Sequence, residues 1–372
     1  MASVLAMAVP GFLVLIAVEL GVSLLKRRPV YRLNDSLADL CCGLGDQSLA
    51  ALLSGALAFP YSWLYEHARL FDLPTSGFGT FALAFVAADL AYYLLHVFLH
   101  RTNLGWAAHS VHHQSEDYNL AVALRQSWVQ GLYSWFFYLP LAILGVPATT
   151  FAVAISLNLL YQFWIHTRLI RRLGPLEAVM NTPSHHRVHH GCEALYIDRN
   201  YAGVFIVWDR LFRTFQVEVE EPSFGVLHPV RTMSAVKANF IPYADLVKQT
   251  MRTAGWWNRI QLWWRPPGWT PETGEPPPAE PGPGRGYDPP HSNAEKAWMV
   301  LQFLPTVPAV MTLMSPPPHP WSGDETVRMA ALAAFVVATL TTLGGFLDRR
   351  RWARPAEFVR ISLTGLFLLT QI

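Results

Sequence analysis

Charge is scarce in this chain. Asp, Glu, Lys and Arg make up only 15% of its 372 residues, against about 25% in an ordinary globular protein. Cysteine is scarcer still. There are three, two of them adjacent at Cys41 and Cys42, which supplies neither a disulfide framework nor a CxxC metal pair. No CxxCH haem attachment, no GxGxxG opening a helix after a strand, and no repeat at a solenoid period is present. The net charge of +2 gives no footprint for nucleic acid, and the charges flank apolar runs rather than forming a patch. These absences exclude a secreted protein, a disulfide scaffold and a nucleic-acid binder. Apolar residues fill the chain instead. They amount to 52%, with 14 Trp and 21 Phe, a surplus too large for one soluble core and one that calls for lipid around it.

A membrane-spanning helix takes about 20 apolar residues. Eight stretches are candidates: 4–25, 37–61, 78–100, 127–144, 148–164, 297–314, 327–346 and 358–372. The first ends in Lys26-Arg27-Arg28 without a small-residue cleavage site, so it reads as an anchor and not a signal peptide. Gly145-Val146-Pro147 reads as a tight hairpin between the fourth and fifth. Lys and Arg gather in alternate connections: Lys26–Arg28 and Arg32, Arg101 and Arg125, Arg168, Arg171 and Arg172, then Arg349–Arg351 and Arg354. By the positive-inside rule these connections face the cytoplasm, in a bacterial inner membrane or the endoplasmic reticulum. The expected fold is therefore all-α, a polytopic membrane protein of about eight transmembrane helices with a cytoplasmic-side helical cap. It divides into N-terminal spans (1–77), a catalytic core (78–230), an interfacial helix with a Pro-rich loop (231–291), and C-terminal spans (292–372). In WWNRIQLWW, Trp256, Ile260, Trp263 and Trp264 fall on one helical stripe, as in a helix lying in the headgroup layer. The Pro- and Gly-rich stretch from Pro266 to Pro290 cannot bury a core and reads as an open loop.

The chemistry lies in histidine. Ten of the 14 fall between His96 and His190, in four clusters: His96 and His100; His109, His112 and His113; His166; and His185, His186, His189 and His190. Residues three and four apart share a helix face, so each cluster can aim two or three imidazoles at one point. The topology brings all four clusters to one side of the membrane. Packing alone gives no reason to collect so many titratable rings at a membrane boundary, where desolvation is costly. Imidazole suits Zn, Cu, Fe and Ni alike, and eight to ten rings exceed the four that close one structural zinc site. Two metals with positions left open for dioxygen fit the number, and an all-nitrogen di-iron centre is the first choice. The carboxylate di-iron pattern of paired ExxH helices is absent. Asp89, seven residues before His96, shares its face. An intramembrane carboxylate needs a partner, either a ligand imidazole, which makes Asp89 a metal-site candidate, or Tyr92, Arg125 or another helix.

HxxxH, HxxHH and HxxHH in this order on membrane helices resemble the fatty acid hydroxylase superfamily, also called the sterol desaturase superfamily. The segments Trp106–Ser127, Asn158–Thr167, Asn181–Gly191 and Asp198–Phe212 are similar to its alkylglycerol monooxygenase branch, as are Gly268–Pro271 and Thr339–Arg350. The resemblance covers most of the chain. It implies an integral membrane monooxygenase that uses dioxygen and tetrahydrobiopterin to hydroxylate the ether-bearing carbon of a 1-O-alkylglycerol, whose hemiacetal then yields a fatty aldehyde and glycerol. Carried over position by position, it implies metal ligands at His96, His100, His109, His112, His113, His186, His189 and His190. His166 matches an additional His of the branch, and His185 lies beside the HxxHH frame. The chain departs from the branch at Arg101, where Glu follows the second His, and at Arg213, where Gly is usual.

Glu116, Asp117, Asn119, Arg125, Asn181, Asp198, Asn200 and Asp209 lie in or beside the His motifs. Some are expected to orient ligands, others to bind the reductant or a headgroup. No motif for a resident electron carrier is present, so electrons must come from an external donor or a bound pterin, while an alkyl chain enters from the bilayer. Three readings follow. The first is an ether-lipid monooxygenase. The second, favoured by Arg101, is a fatty acid, sterol or carotenoid hydroxylase or desaturase with the same centre. The third is a metal transporter or electron carrier, which should instead place its ligands near the bilayer midplane.

Overall fold

The computed structural model describes residues 4–274, 286–315 and 322–369. Among them the chain is helical, with a single isolated antiparallel bridge between Met180 and Phe205 and no strand. In chain order the helices are α1 (Val4–Leu25), α2 (Leu33–Ala68), α3 (Phe78–Arg101), α4 (Asn103–His113), α5 (Gly131–Ser134), α6 (Leu139–Leu144), α7 (Ala148–Trp164), α8 (Pro183–His189), α9 (Val207–Phe212), α10 (Ala235–Arg252), α11 (Trp256–Trp264), α12 (Asn293–Phe303), α13 (Thr306–Leu313), α14 (Gly323–Leu347) and α15 (Ala353–Leu369).

Four helices are long and apolar enough to cross a membrane, namely α1 from Ala6, α2, α3 and α14, the marks of an integral membrane protein. The other expected spans are shorter or broken. The stretch 127–144 breaks into α5, a 3-10 turn over Trp135–Tyr138, and α6. The stretch 297–314 breaks at Leu304-Pro305, because a proline lacks the N–H that a continuing helix needs. α7 and α15 run for 17 residues each. Between α6 and α7 the chain reverses at Gly145, whose φ of 93° and close approach to the Phe71 carbonyl leave no room for a Cβ. Residues 275–285 of the Pro-rich stretch lie outside the described residues.

Two apolar cores hold the helices. One joins α2, α3, α6 and α7 through Tyr61, Ala84, Ala88, Leu95, Leu141 and Ala154. The other joins α2, α4, α10 and α12–α14 through Cys41, Cys42, Val111, Ala238, Phe303 and Leu340. On α11, Leu262 is buried, while Trp256, Trp257, Ile260 and Trp264 are exposed.

The first turns of α2 carry buried acids that dock on the histidine-bearing segments. Asp35 accepts from Ser115 Oγ and the Asp117 amide, and Asp39 pairs with Arg125 at 3.0 Å, both side chains all but sealed from solvent. α3 turns into α4 at Thr102, whose hydroxyl accepts from the Gly105 amide and donates to the Phe98 carbonyl. That cap brings the two first histidine motifs together, and a Cβ at Gly105 would meet Leu99 Cα at 2.6 Å.

Candidate metal centre

Nine buried imidazoles converge as two adjoining groups. His96, His100, His109, His113 and His189 form one, and His112, His166, His186 and His190 the other; within each, the ligand nitrogens all lie within 4.8 Å of one another. Helical spacing fits three of the pairs in this division. His96 and His100, His109 and His113, and His186 and His190 are pairs four apart that stay on one face. The residue three along, His112 in one motif and His189 in the other, crosses to the opposite group. Each HxxHH motif thus serves both groups, and His113 and His190 stack across the boundary with centroids 4.2 Å apart.

The outer nitrogens fix the state of the inner ones. His96 Nδ1 donates to the Tyr201 carbonyl at 2.7 Å, His112 Nδ1 to the Arg125 carbonyl at 3.0 Å, His166 Nδ1 to the Gln162 carbonyl at 2.7 Å and His189 Nδ1 to the Arg199 carbonyl at 3.0 Å. His109 Nδ1 faces Gln130 Oε1 at 3.1 Å. A carbonyl only accepts, so each of these Nδ1 atoms carries the proton and each neutral ring turns a bare Nε2 inward. Burial, reinforced by neighbouring imidazoles, holds His109, His113, His186, His189 and His190 well below the usual imidazole range and lowers His112 to about 4. The rings outside the membrane helices are therefore neutral at pH 7, the form that binds metal.

Bare lone pairs face each other across the site. His96 Nε2 and His109 Nε2 are 2.9 Å apart, and His112 Nε2 and His166 Nε2 3.2 Å. With both protons already committed at Nδ1, neither pair can share a hydrogen bond, and only a cation between them relieves the repulsion. Two nitrogens ~2.1 Å from a metal and at right angles would be about 3.0 Å apart. His100, His113, His189 and His190 each enclose an Nε2 with no hydrogen-bond partner. Buried polar atoms are ordinarily satisfied, so these orphaned nitrogens fit a pair of metals.

His185 stands outside both groups. Its Nε2 lies 3.9 Å from the Glu177 carboxylate and its ring meets the edge of Phe215. Asp89 touches no imidazole, and neither Tyr92 nor Arg125 is its partner. Its carboxylate accepts from Asn158 Nδ2, the Val204 and Phe205 amides and Trp208 Nε1, all within 3.0 Å. Through them it reaches both groups. The segment after Tyr201 hangs from Asp89, from Asn181, whose amide group donates to the Ala202 carbonyl, and from Asp209, which accepts from the Tyr201 and Ala202 amides. In the other direction Gln162 Nε2 donates to Asn158 Oδ1, beside the carbonyl that holds His166.

The remaining polar candidates divide in two. Arg125 supplies the carbonyl for His112 while its guanidinium binds the Val111 carbonyl, Asp39 and Gln114. Asp198 lies 3.7 Å from His100 Nδ1 and 3.3 Å from Arg101. Asn200 bridges the His185 and Gln216 backbones. Glu116, Asp117 and Asn119 face away from the imidazoles: Glu116 accepts from the Gly286 amide, Asp117 binds Arg32, and Asn119 binds the Val30 carbonyl. Gln130, Gln162, Arg199 and Tyr201 escaped sequence reasoning, because three of the four act through backbone carbonyls that carry no side-chain signature.

A cavity of about 360 Å³ opens onto the imidazoles. His109 of one group and His112 and His166 of the other form part of its wall, and Phe12, Leu40, Leu95, Leu159, Val310 and Met314 supply apolar surface from α1, α2, α3, α7 and α13 with its following residue.

The fatty acid hydroxylase family profile matches residues 81–214, the stretch that carries all ten clustered histidines. The chain is 38% identical to an alkylglycerol monooxygenase of Danio rerio over 96% of its length and 81% of the relative's. It is 37% identical to one of Homo sapiens over 95% and 80%. The chain belongs to the alkylglycerol monooxygenase family. It is accordingly an oxidoreductase of the monooxygenase type. An ornithine lipid hydroxylase of Rhizobium tropici shares 27% identity over 36% of this chain and 40% of its own. No solved structure matches the chain.

Proposed function

We propose that this protein is a membrane di-iron monooxygenase that hydroxylates the ether-bearing carbon of 1-O-alkylglycerols, releasing a fatty aldehyde and glycerol. The observation that carries the reading is the apolar cavity whose wall contains imidazoles of both groups. His96, His100, His109, His113 and His189 would hold one iron, and His112, His166, His186 and His190 the other. An iron pair supplies dioxygen activation and the oxidation of an unactivated carbon. The chain's own residues bind the alkyl chain among the apolar helices, keep water from the reacting carbon, and hold the Nδ1 protons of His96, His109, His112, His166 and His189 on carbonyls so that their Nε2 lone pairs stay directed inward. His185 and Asp89 position this frame without touching a metal.

In the membrane, the Lys and Arg distribution supports a cytoplasmic location for the histidine layer as a helical cap on about eight spans, the shorter helices completing the set. A reductant, tetrahydrobiopterin or an external donor, would approach from that side. A second reading, hydroxylation of a different lipid, is favoured by Arg101, which faces Asp198 and Tyr201 beside the first group where the branch carries Glu. The test is product analysis of iron-loaded protein in detergent with a 1-O-alkylglycerol, dioxygen and tetrahydrobiopterin. Fatty aldehyde that requires the pterin is the expected result. No aldehyde from protein holding two irons would overturn the ether-cleaving assignment in favour of another lipid.

A further inference from the structure

An ether oxygen entering the cavity is an acceptor and needs a donor that the protein has left free. The wall offers one beside the imidazoles. Tyr92 lies on α3 four residues before His96, about 6 Å along the helix axis, with its ring tilted against the His96 ring at a centroid distance of 5.3 Å. Tyr92 lines the cavity together with His109, His112 and His166. Among the described residues its hydroxyl has no hydrogen-bond partner, although the neighbouring Tyr93 bonds Thr214 and Tyr118 bonds the Ile165 carbonyl. Nor can the ring swing away freely. A Cβ at Gly203 would come within 3.0 Å of the Tyr92 ring and within 2.8 Å of Asp89, so the phenol is wedged against the segment that also holds His96. A phenol held in a largely apolar cavity with its proton unused is a preorganised donor, because a polar group left dry is unfavourable until a ligand satisfies it.

We infer that the Tyr92 hydroxyl donates a hydrogen bond to the ether oxygen of the lipid and thereby presents the adjacent carbon to the imidazole groups. This rests on the ether-lipid reading above and adds the residue that distinguishes an ether from a plain hydrocarbon chain. The cavity's other phenol without a bonded partner, Tyr138, packs on Phe151 in a segment that contributes no imidazole, and serves as the comparison.

The experiment measures binding, not turnover, under anaerobic conditions without reductant. A 1-O-alkylglycerol and its analogue with a methylene in place of the ether oxygen compete for wild-type protein, Tyr92→Phe and Tyr138→Phe, each checked for equal iron content. Wild type and Y138F should favour the ether roughly 3- to 10-fold, the worth of one hydrogen bond, and Y92F should bind the two ligands equally. A preference that persists in Y92F, or that disappears in Y138F instead, overturns the assignment. Equal binding by wild type overturns it too. Failure of the 1-O-alkylglycerol to bind wild type removes the ether-lipid reading along with it, whereas aldehyde production with an unchanged preference in Y92F overturns only the role of Tyr92.

Discussion

Neighbouring histidines in this chain have opposite roles. His185 and His186 are adjacent on α8, yet His186 Nε2 sits 2.9 Å from His166 Nε2 while His185 turns to Glu177 and Phe215. His186→Ala should therefore reduce aldehyde formation to background, and His185→Ala should keep it within a few-fold of wild type. Equal loss in both variants would show that the inward-facing set is drawn wrongly. Spacing singled out the histidine clusters but not which members turn inward, since His185 and His189 are four apart and only His189 joins a group. What spacing alone did not reveal is how each motif splits between two groups, because that depends on how α4 and α8 are rotated against each other. Asp89 illustrates a different limit. Its place on the His96 face was readable, but its partners come from α7 and the 204–208 segment, which only the tertiary fold brings near.

At the scale of elements, short helices and their caps hold the imidazoles, and one cap is strained. Arg213 ends α9 with φ of 63°, a left-handed conformation that costs a residue with a Cβ about 1–2 kcal/mol. Its side chain is exposed. Arg213→Gly should raise stability by about 1 kcal/mol, read as a higher thermal midpoint in detergent, and a lower midpoint would contradict the strain. The same geometry favours Gly, which has no Cβ, at this position. Helix positions were largely legible from apolar runs, and α1, α3 and α7 fall where expected. The broken helices were not, because 127–144 reads as one apolar run while its residues Ser127, Gln130, Gly131, Ser134 and Tyr138 line the cavity. Lining a cavity and continuing a straight helix are competing demands on that segment, and composition does not say which one wins.

Across the whole molecule, the cavity and the imidazole layer are assembled from segments more than 150 residues apart, with α1 at one end of the chain and α13 near the other. The acids at the start of α2 join the two: Asp39 pairs with Arg125, whose carbonyl fixes His112. Membrane residence and a multi-histidine site followed from composition and spacing, but a cavity is a property of packing and left no mark in the sequence. The proposed two-metal centre has nine imidazoles around it, five of them with the Nδ1 proton held outward on a carbonyl. Iron counted per chain in the purified protein, alongside absorption to exclude haem, tests it most directly. Two irons per chain and no haem band are expected. One iron per chain at saturation, or none, would contradict it.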